Sequence, residues 1–90
     1  HSNAMAARLA GHLRQSRRAR MAWDPDANEV FAILPAVLIE ELKGRDLAFY
    51  PWHTPDGYEG EVGADESICR FVTSFATTAD EVDAFGEMVA

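Results

Sequence analysis

The chain has 90 residues, 48% of them hydrophobic, and a net charge of −7 at pH 7. This length allows one domain with a modest core, and the hydrophobic fraction excludes a disordered chain. The single cysteine, Cys69, excludes an internal disulfide framework and fits a reducing, cytoplasmic environment. The sequence has no apolar run long enough to cross a bilayer and no signal-peptide pattern, so we expect no membrane association.

The charge is unevenly distributed along the chain. The first 22 residues carry five arginines and no acidic residue, whereas the rest carries all fifteen acidic residues against three basic ones. Contacts with phosphate dominate nucleic-acid affinity, so we expect a chain this acidic not to bind nucleic acid. The arginines are expected to form a solvated helix face, with contact to an acidic partner surface as the alternative. Glu41 and Arg45 are spaced for a modest surface pair.

The first predicted element is a helix over residues 4–17. Met5, Leu9 and Leu13 recur at four-residue intervals and form an apolar stripe. Residues 1–4 are either an expression remnant or native sequence. We favour the native interpretation, in which the chain begins within a longer protein, because a trimmed remnant would not normally keep the histidine.

A strand and a short helix follow. The continuous apolar run over residues 30–34 predicts a strand that is covered on both faces or lies in the middle of a sheet. Pro35 suits the first position of a helix, which is expected to end near residue 43 with Leu38 and Leu42 buried. Gly44 is typical of a left-handed helix stop.

Residues 47–52 predict the second strand, and Pro51 suggests that it lies at a sheet edge. Turn chemistry at residues 55–57 and the acidic stretch over residues 58–66 predict a surface loop. The third strand is predicted over residues 68–75, which are rich in aromatic and β-branched side chains.

The last predicted element is a helix that begins at Ala79. Thr78 and Glu81 form a capping-box signature, in which the Thr hydroxyl accepts from the backbone N–H of Glu81 and the Glu81 carboxylate accepts from the backbone N–H of Thr78. The apolar face of this helix is expected to contain Val82, Phe85 and Met88 or Val89. The order α-β-α-β-β-α predicts an α+β fold: a three- to four-stranded, mostly antiparallel sheet with helices packed on one face.

Arg70 is unusual because it lies inside an apolar strand, where a charged group needs a partner or access to water. Strand alternation places Arg70 on one face, away from the larger aromatic face that should meet the helices. The face that should meet the helices contains Cys69, Phe71, Thr73 and Phe75. The planar guanidinium matches a carboxylate through two parallel hydrogen bonds, so Arg70 either binds a ligand carboxylate or forms a structural ion pair.

Other candidate sites are weaker. A Cys69–His53 nucleophile is not expected, because Cys69 should face the core and buried cysteines are usually inert. His12, His53 and Cys69 lack the spacing of metal ligands. We therefore assign no catalytic, cofactor-binding or metal-binding residue within the chain. Trp52 and His53 follow a strand end and either line a pocket mouth or supply packing area.

The run from Arg70 to Thr78, Arg-Phe-Val-Thr-Ser-Phe-Ala-Thr-Thr, precedes an acidic helix start. It resembles the C-terminal end of bacterial low-specificity L-threonine aldolases and related β-eliminating lyases, which are pyridoxal-phosphate enzymes of the aspartate-aminotransferase-like superfamily. Residues 28–35 and 47–52 resemble the first and second strands of the small C-terminal domain in these enzymes. The resemblance implies that residues 1–22 are an interdomain helix and residues 23–90 the small domain.

The resemblance also implies a function. The parent enzyme would cleave β-hydroxy-α-amino acids such as L-threonine to glycine and an aldehyde, and Arg70 would bind the substrate α-carboxylate. Pyridoxal phosphate would be bound by a large domain that this chain lacks, because the only lysine, Lys43, has no family motif around it. The chain alone is therefore expected to be inactive.

The expected partners are the amino-acid substrate, the large domain of the same enzyme and further copies in a cytoplasmic homo-oligomer. The alternative is a stand-alone small α+β module that binds a ligand or dimerises, without catalysis. An exposed apolar surface where the large domain would sit favours the first interpretation.

Overall fold

The computed structural model describes residues 1–25, 27–44, 49–58 and 60–90. Within these ranges the chain forms three helices and four strands. In chain order they are α1 (Ser2–Gln15), β1 (Arg20–Met21), β2 (Glu29–Pro35), α2 (Ala36–Leu42), β3 (Phe49–Trp52), β4 (Glu66–Val72) and α3 (Ala79–Val89). The strands form one antiparallel sheet in the order β1-β2-β4-β3. The predicted α+β architecture is confirmed, and β1 is an addition to the predicted order.

Strands β2 and β4 form the middle of the sheet. Their register pairs Val30 with Phe71 and Phe31 with Arg70. All five residues between the ends of β2 are buried, as expected for a strand covered on both faces. The prediction from the continuous apolar run is therefore confirmed: one face of β2 packs under the helices and the other under aromatic side chains.

The main core lies between the sheet and the three helices. Phe71 is fully buried at its centre, with ring centroids 5.5 Å from Phe49 and 5.1 Å from Phe85. Burial of such a side chain stabilises the fold by about 1.5–3 kcal/mol. The predicted α1 stripe is confirmed, as are the predicted core residues of α3. The buried residues of these two helices are Met5, Ala6, Leu9, Ala10, Leu13, Val82, Phe85, Gly86 and Val89.

The prediction that Phe75 continues the core face of the third strand is wrong. Strand β4 ends at Val72, and Phe75 is 89% exposed. The chain turns because the hydroxyl of Thr77 accepts from the backbone N–H of Ser74 at 2.9 Å, and the N–H of Thr77 donates back to the Ser74 carbonyl at 3.2 Å. These local side-chain bonds compete with strand extension.

The short helix α2 closes one end of the core. Pro35 is the N-cap residue, in an extended conformation, and not the first residue of the helix as expected; the helix begins at Ala36. Leu38 and Leu42 are buried, as expected. Gly44 has φ +85°, a left-handed conformation that glycine adopts without steric strain, so the predicted stop is confirmed.

Strand β3 lies at a sheet edge, which confirms the prediction from Pro51. A proline lacks the N–H that a central strand would need, and an edge position makes this loss harmless. Residues 47 and 48 of the predicted strand lie outside the described residues. Arg45 of the predicted surface pair also lies outside them.

Helices α1 and α3 come from opposite ends of the chain and pack side by side in the same direction. The His1 ring lies 2.5 Å from the carbonyl oxygen of Thr77, and the Ser16 hydroxyl donates to the carbonyl of Val89. Each end of α1 therefore meets the corresponding end of α3. Between these ends, the His12 ring covers Gly86.

Most of the N-terminal arginines form ion pairs with acidic residues from the rest of the chain. Arg8 donates to both carboxylate oxygens of Asp83 at 2.8 and 2.7 Å, and His12 Nε2 lies 2.9 Å from Asp83 Oδ1. These contacts hold the pKa of Asp83 well below its usual range. Four of the five N-terminal arginines contact carboxylates of the same chain. The pairs are Arg8–Asp83, Arg14–Asp24, Arg18–Glu41 and Arg20–Glu66.

Candidate functional site: an arginine on the outer sheet face

Arg70 lies on the face of the sheet that is opposite to the helices. In an antiparallel sheet, residues directly opposite each other on neighbouring strands share a face. Arg70 is opposite Phe31 on one side and Tyr50 on the other, while its chain neighbours Cys69 and Phe71 face the helices. Arg70 therefore points away from the main core, as strand alternation predicts.

Two neighbours hold the guanidinium of Arg70. Its Nε lies 2.8 Å from Glu29 Oε2, but the N–H is not aligned with the oxygen, so this contact is an ion pair rather than a directed hydrogen bond. Its Cζ lies 5.3 Å from the ring centroid of Trp52, within cation–π range. Among the described residues, none accepts a hydrogen bond from either Nη atom. The Nη edge is thus the edge on which this site offers hydrogen-bond donors.

The surroundings of Arg70 are largely aromatic. Trp23 packs on Phe31 with ring centroids 4.7 Å apart and meets Tyr58 at 5.9 Å. Phe31 also meets Trp52, at 5.6 Å. This aromatic cluster covers the outer face on the β1 and β2 side. Arg70 therefore lies beside an apolar surface on that side of the sheet.

The β3 side of the outer face is more open. Tyr50 and Trp52 are among the exposed large hydrophobic residues of the described chain, together with Phe75 and Val37. The ring of His53 stacks on Trp52, with centroids 5.2 Å apart. The structure thus places Trp52 beside Arg70 and His53 against Trp52, at the more open edge of the sheet.

The polar side chains that follow Arg70 are engaged in local structure. The Thr73 hydroxyl donates to the carbonyl of Ser2 at 2.6 Å, which ties β4 to the start of α1. The Thr78 hydroxyl accepts from the backbone N–H of Glu81 at 3.1 Å, which confirms the first half of the predicted capping box. In place of the second half, the Glu81 carboxylate accepts from the Thr78 hydroxyl at 3.0 Å. Arg70 differs from these residues, because its Nη donors are not used to build the turn or the helix start.

The weaker candidate sites are not assembled in the structure. Cys69 is buried on the helical face, where burial raises the pKa of its thiol to about 11, whereas His53 lies on the outer face. Lys43 forms a surface pair with Glu40 at 2.9 Å, on α2 and its C-cap. The described residues contain no group of three or more His, Cys, Asp or Glu side chains that could hold a metal ion. No helix in the described ranges is long and apolar enough to span a membrane.

Sequence reasoning missed Glu29 as a member of the site. Glu29 is far from Arg70 in the chain and is brought beside it only by the antiparallel register of β2 and β4, in which it pairs with Val72. Its alternation with Phe31 places both on the outer face. The period-two pattern was therefore the only usable signal, and it does not determine the register.

The chain as a whole is similar to part of a known enzyme. No protein-family model matches the chain, and no curated protein matches it. The solved structure of threonine aldolase from Leishmania major matches with a TM-score of 0.77 and 32% sequence identity. The match covers 99% of this chain and 23% of that chain. The resemblance predicted from the sequence is thereby confirmed: the chain is related in fold and in sequence to a segment of a threonine aldolase, and the extent of the match is consistent with one small C-terminal domain.

Proposed function

We propose that the chain is the C-terminal small domain of a threonine-aldolase-like lyase that cleaves β-hydroxy-α-amino acids, such as L-threonine, to glycine and an aldehyde. The similarity to a threonine aldolase over 99% of the chain supports the enzyme class. The observation that carries the role of this domain is the Arg70 guanidinium, held by Glu29 and Trp52 with its Nη edge unused among the described residues.

Arg70 would bind the α-carboxylate of the substrate. A guanidinium forms two parallel charge-assisted hydrogen bonds with a carboxylate, which fixes both the position and the plane of that group. Fixing the carboxylate fixes Cα, and with it the Cα–Cβ bond that must break. The contribution of Arg70 is therefore positioning, which lowers the entropic part of the barrier.

The cofactor would be held outside this chain. Pyridoxal phosphate, when bound, supplies an electron sink for the electrons released at Cα, and it requires a lysine and a phosphate cradle. Lys43 pairs with Glu40 on α2, on the helical side of the sheet, and not beside Arg70. The residues of this chain do not fit that role, so a large domain of the same enzyme would provide the cofactor site.

Substitution of Arg70 tests the proposal in the full-length protein. A hydrogen bond to a charged group contributes about 1.5–3 kcal/mol, so the loss of two by Arg70→Ala should lower kcat/KM for L-threonine by about 10²–10⁴. Arg70→Lys keeps the charge but not the fork, and should retain about tenfold more activity than Arg70→Ala. Arg20→Ala is the matched control, because Arg20 also pairs with a glutamate on this sheet.

A second substrate sharpens this test. L-threonine amide lacks the carboxylate, so the wild-type preference for L-threonine over the amide should disappear in Arg70→Ala. A variant with the kinetics and the preference of the wild-type protein would refute the assigned role of Arg70. The near-normal activity of Arg20→Ala would show that the loss is not a general effect of removing a paired arginine.

The remaining partners follow from this assignment. The outer face would meet the large domain, since ligand sites often lie at domain junctions and Tyr50 and Trp52 are exposed there. We infer a cytoplasmic homo-oligomer for the whole enzyme. Light scattering of the native protein and the length of its reading frame test this inference. A gene product of 9.9 kDa would instead favour a stand-alone ligand-binding or dimerisation module.

A further inference from the structure

We propose that Glu29 is a positioning residue that occupies the Nε side of Arg70, so that the carboxylate ligand is bound end-on by the two Nη atoms. This inference rests on the proposed function of Arg70. It assigns a role to Glu29 and selects one of the two edges through which an arginine can bind a carboxylate.

The two edges of a guanidinium are not equivalent in this site. A carboxylate can bind side-on, through Nε and one Nη atom, or end-on, through both Nη atoms. Nε of Arg70 is buried against Glu29, whose Oε2 lies 2.8 Å away, so the side-on edge of the guanidinium is closed to a ligand. A ligand carboxylate is therefore left with the end-on position.

The sheet register fixes the positions from which Glu29 and Trp52 reach Arg70. Glu29 pairs with Val72, two residues after Arg70, whereas Trp52 pairs with Ile68, two residues before it. Glu29 and Trp52 consequently lie at diagonal positions on opposite sides of Arg70. Because both neighbouring strands are hydrogen-bonded to β4, the carboxylate and the indole hold the guanidinium from two directions.

A positioning role and a purely electrostatic role of Glu29 predict opposite changes in ligand affinity when its carboxylate is removed. The negative charge of Glu29 repels a ligand carboxylate, so if charge were its only effect, the removal of that charge would tighten binding. The repulsion is screened, because the side chains of Arg70 and Glu29 are 32% and 37% exposed. A misoriented guanidinium, in contrast, loses bidentate geometry. The sign of the change in affinity therefore distinguishes the two roles.

The experiment uses the full-length protein with three substitutions. Glu29→Ala removes the carboxylate, Glu29→Gln keeps its shape but not its charge, and Glu41→Gln is the control. Glu41 also pairs with an arginine and its side chain is 44% exposed, but it lies on the helical side of the sheet. The readouts are kcat and KM for L-threonine, the Kd for glycine from calorimetry, and Tm.

We expect Glu29→Ala to raise both KM and the glycine Kd about tenfold, since small displacements of a positioning group have effects of this order or larger. Glu29→Gln should raise both by about threefold, because its amide preserves the packing but not the attraction to Nε. Tm should change little in either variant, and Glu41→Gln should match the wild-type protein. Values of KM and Kd at or below those of the wild type in both Glu29 variants would overturn the proposal.

The outcome also separates this inference from the proposed function. If Arg70→Ala loses activity while the Glu29 variants do not, Arg70 binds the carboxylate without help from Glu29. If Arg70→Ala retains activity, the role proposed for Arg70 is wrong, and the glycine Kd of the Glu29 variants should then not depend on the substitution.

Discussion

The close approach of α1 and α3 at Gly86 predicts that Gly86→Ala has two opposing effects on stability, a gain in helix propensity and a steric clash with His12. Gly86 is buried in α3 beneath the His12 ring of α1. A Cβ atom added at position 86 would lie 2.5 Å from Cγ of His12 and 2.6 Å from its Cε1. These distances are far shorter than the optimal separation of about 3.5–4.0 Å between carbon atoms. The ring must therefore move in Gly86→Ala.

The magnitudes favour destabilisation. Alanine in place of glycine inside a helix stabilises it by about 1 kcal/mol. Overpacking of a tight contact costs about 1–3 kcal/mol, and here the ring is also bonded to Asp83. The contact involves Cγ, next to the backbone of α1, so flexing of the ring tip cannot relieve it. Gly86→Ala should therefore destabilise the chain by about 1 kcal/mol.

A double-mutant cycle measures the effect. In a His12→Ala background the clash is absent, so Gly86→Ala should be stabilising by up to about 1 kcal/mol, from helix propensity alone. A change of 1 kcal/mol corresponds to a shift in Tm of about 4–8 °C for a domain of this size. Gly11→Ala is the matched control, since Gly11 is in α1 with nothing within 4 Å of an added Cβ, and it should raise Tm.

The cycle has a clear refuting result. If Gly86→Ala shifts Tm in the same direction in both backgrounds, then His12 does not pack over Gly86 as described. Circular dichroism of the four proteins, measured at one pH and one concentration, is sufficient for the comparison.

Three further predictions concern stability and reactivity. Thr78→Ala should destabilise the chain by about 1 kcal/mol in urea unfolding, because the N–H of Glu81 loses its cap, whereas Thr78→Ser should change little. Because Arg8 and His12 hold the pKa of Asp83 below its unfolded value of about 3.9, the stability from these contacts is present above that pH and lost as the pH falls through and below it. The fall in Tm on acidification should thus be smaller in Asp83→Asn. Cys69, with the pKa of its buried thiol raised to about 11, should react with iodoacetamide at pH 8 only after unfolding, as followed by mass spectrometry.

The elements with strong periodicity could be predicted from the sequence. The Met5–Leu9–Leu13 stripe and the apolar run of β2 each describe a surface that must be buried, and burial is the dominant stabilising term. Strand β1 could not be predicted, because its two residues form a strand only by pairing with Ile33 and Ala32. Its existence depends on tertiary contact and not on its own composition.

The candidate site was predictable to a similar extent. The outward direction of Arg70 follows from alternation along its own strand, which is a local property. The contact with Glu29 depends on which residue of β2 stands beside which residue of β4, and these strands are joined by residues 36–65 and not by a tight hairpin turn. The exposure of Phe75 could not be predicted either. Residues 68–75 all have the composition of a strand, but the Thr77 hydroxyl turns the chain at Ser74, before Phe75.

The parallel packing of α1 and α3 has a consequence for the order of events during synthesis. Leu9 and Leu13 are covered by the last helix, which contains Val82, Phe85 and Val89 and is made more than sixty residues later. Contacts so distant in sequence form slowly, and until they form the part of the α1 stripe that α3 covers has no partner. Helix α1 therefore leaves the ribosome with that part of its stripe exposed. A chaperone that binds apolar stretches of nascent chains would find a binding site here, and release would require the arrival of α3.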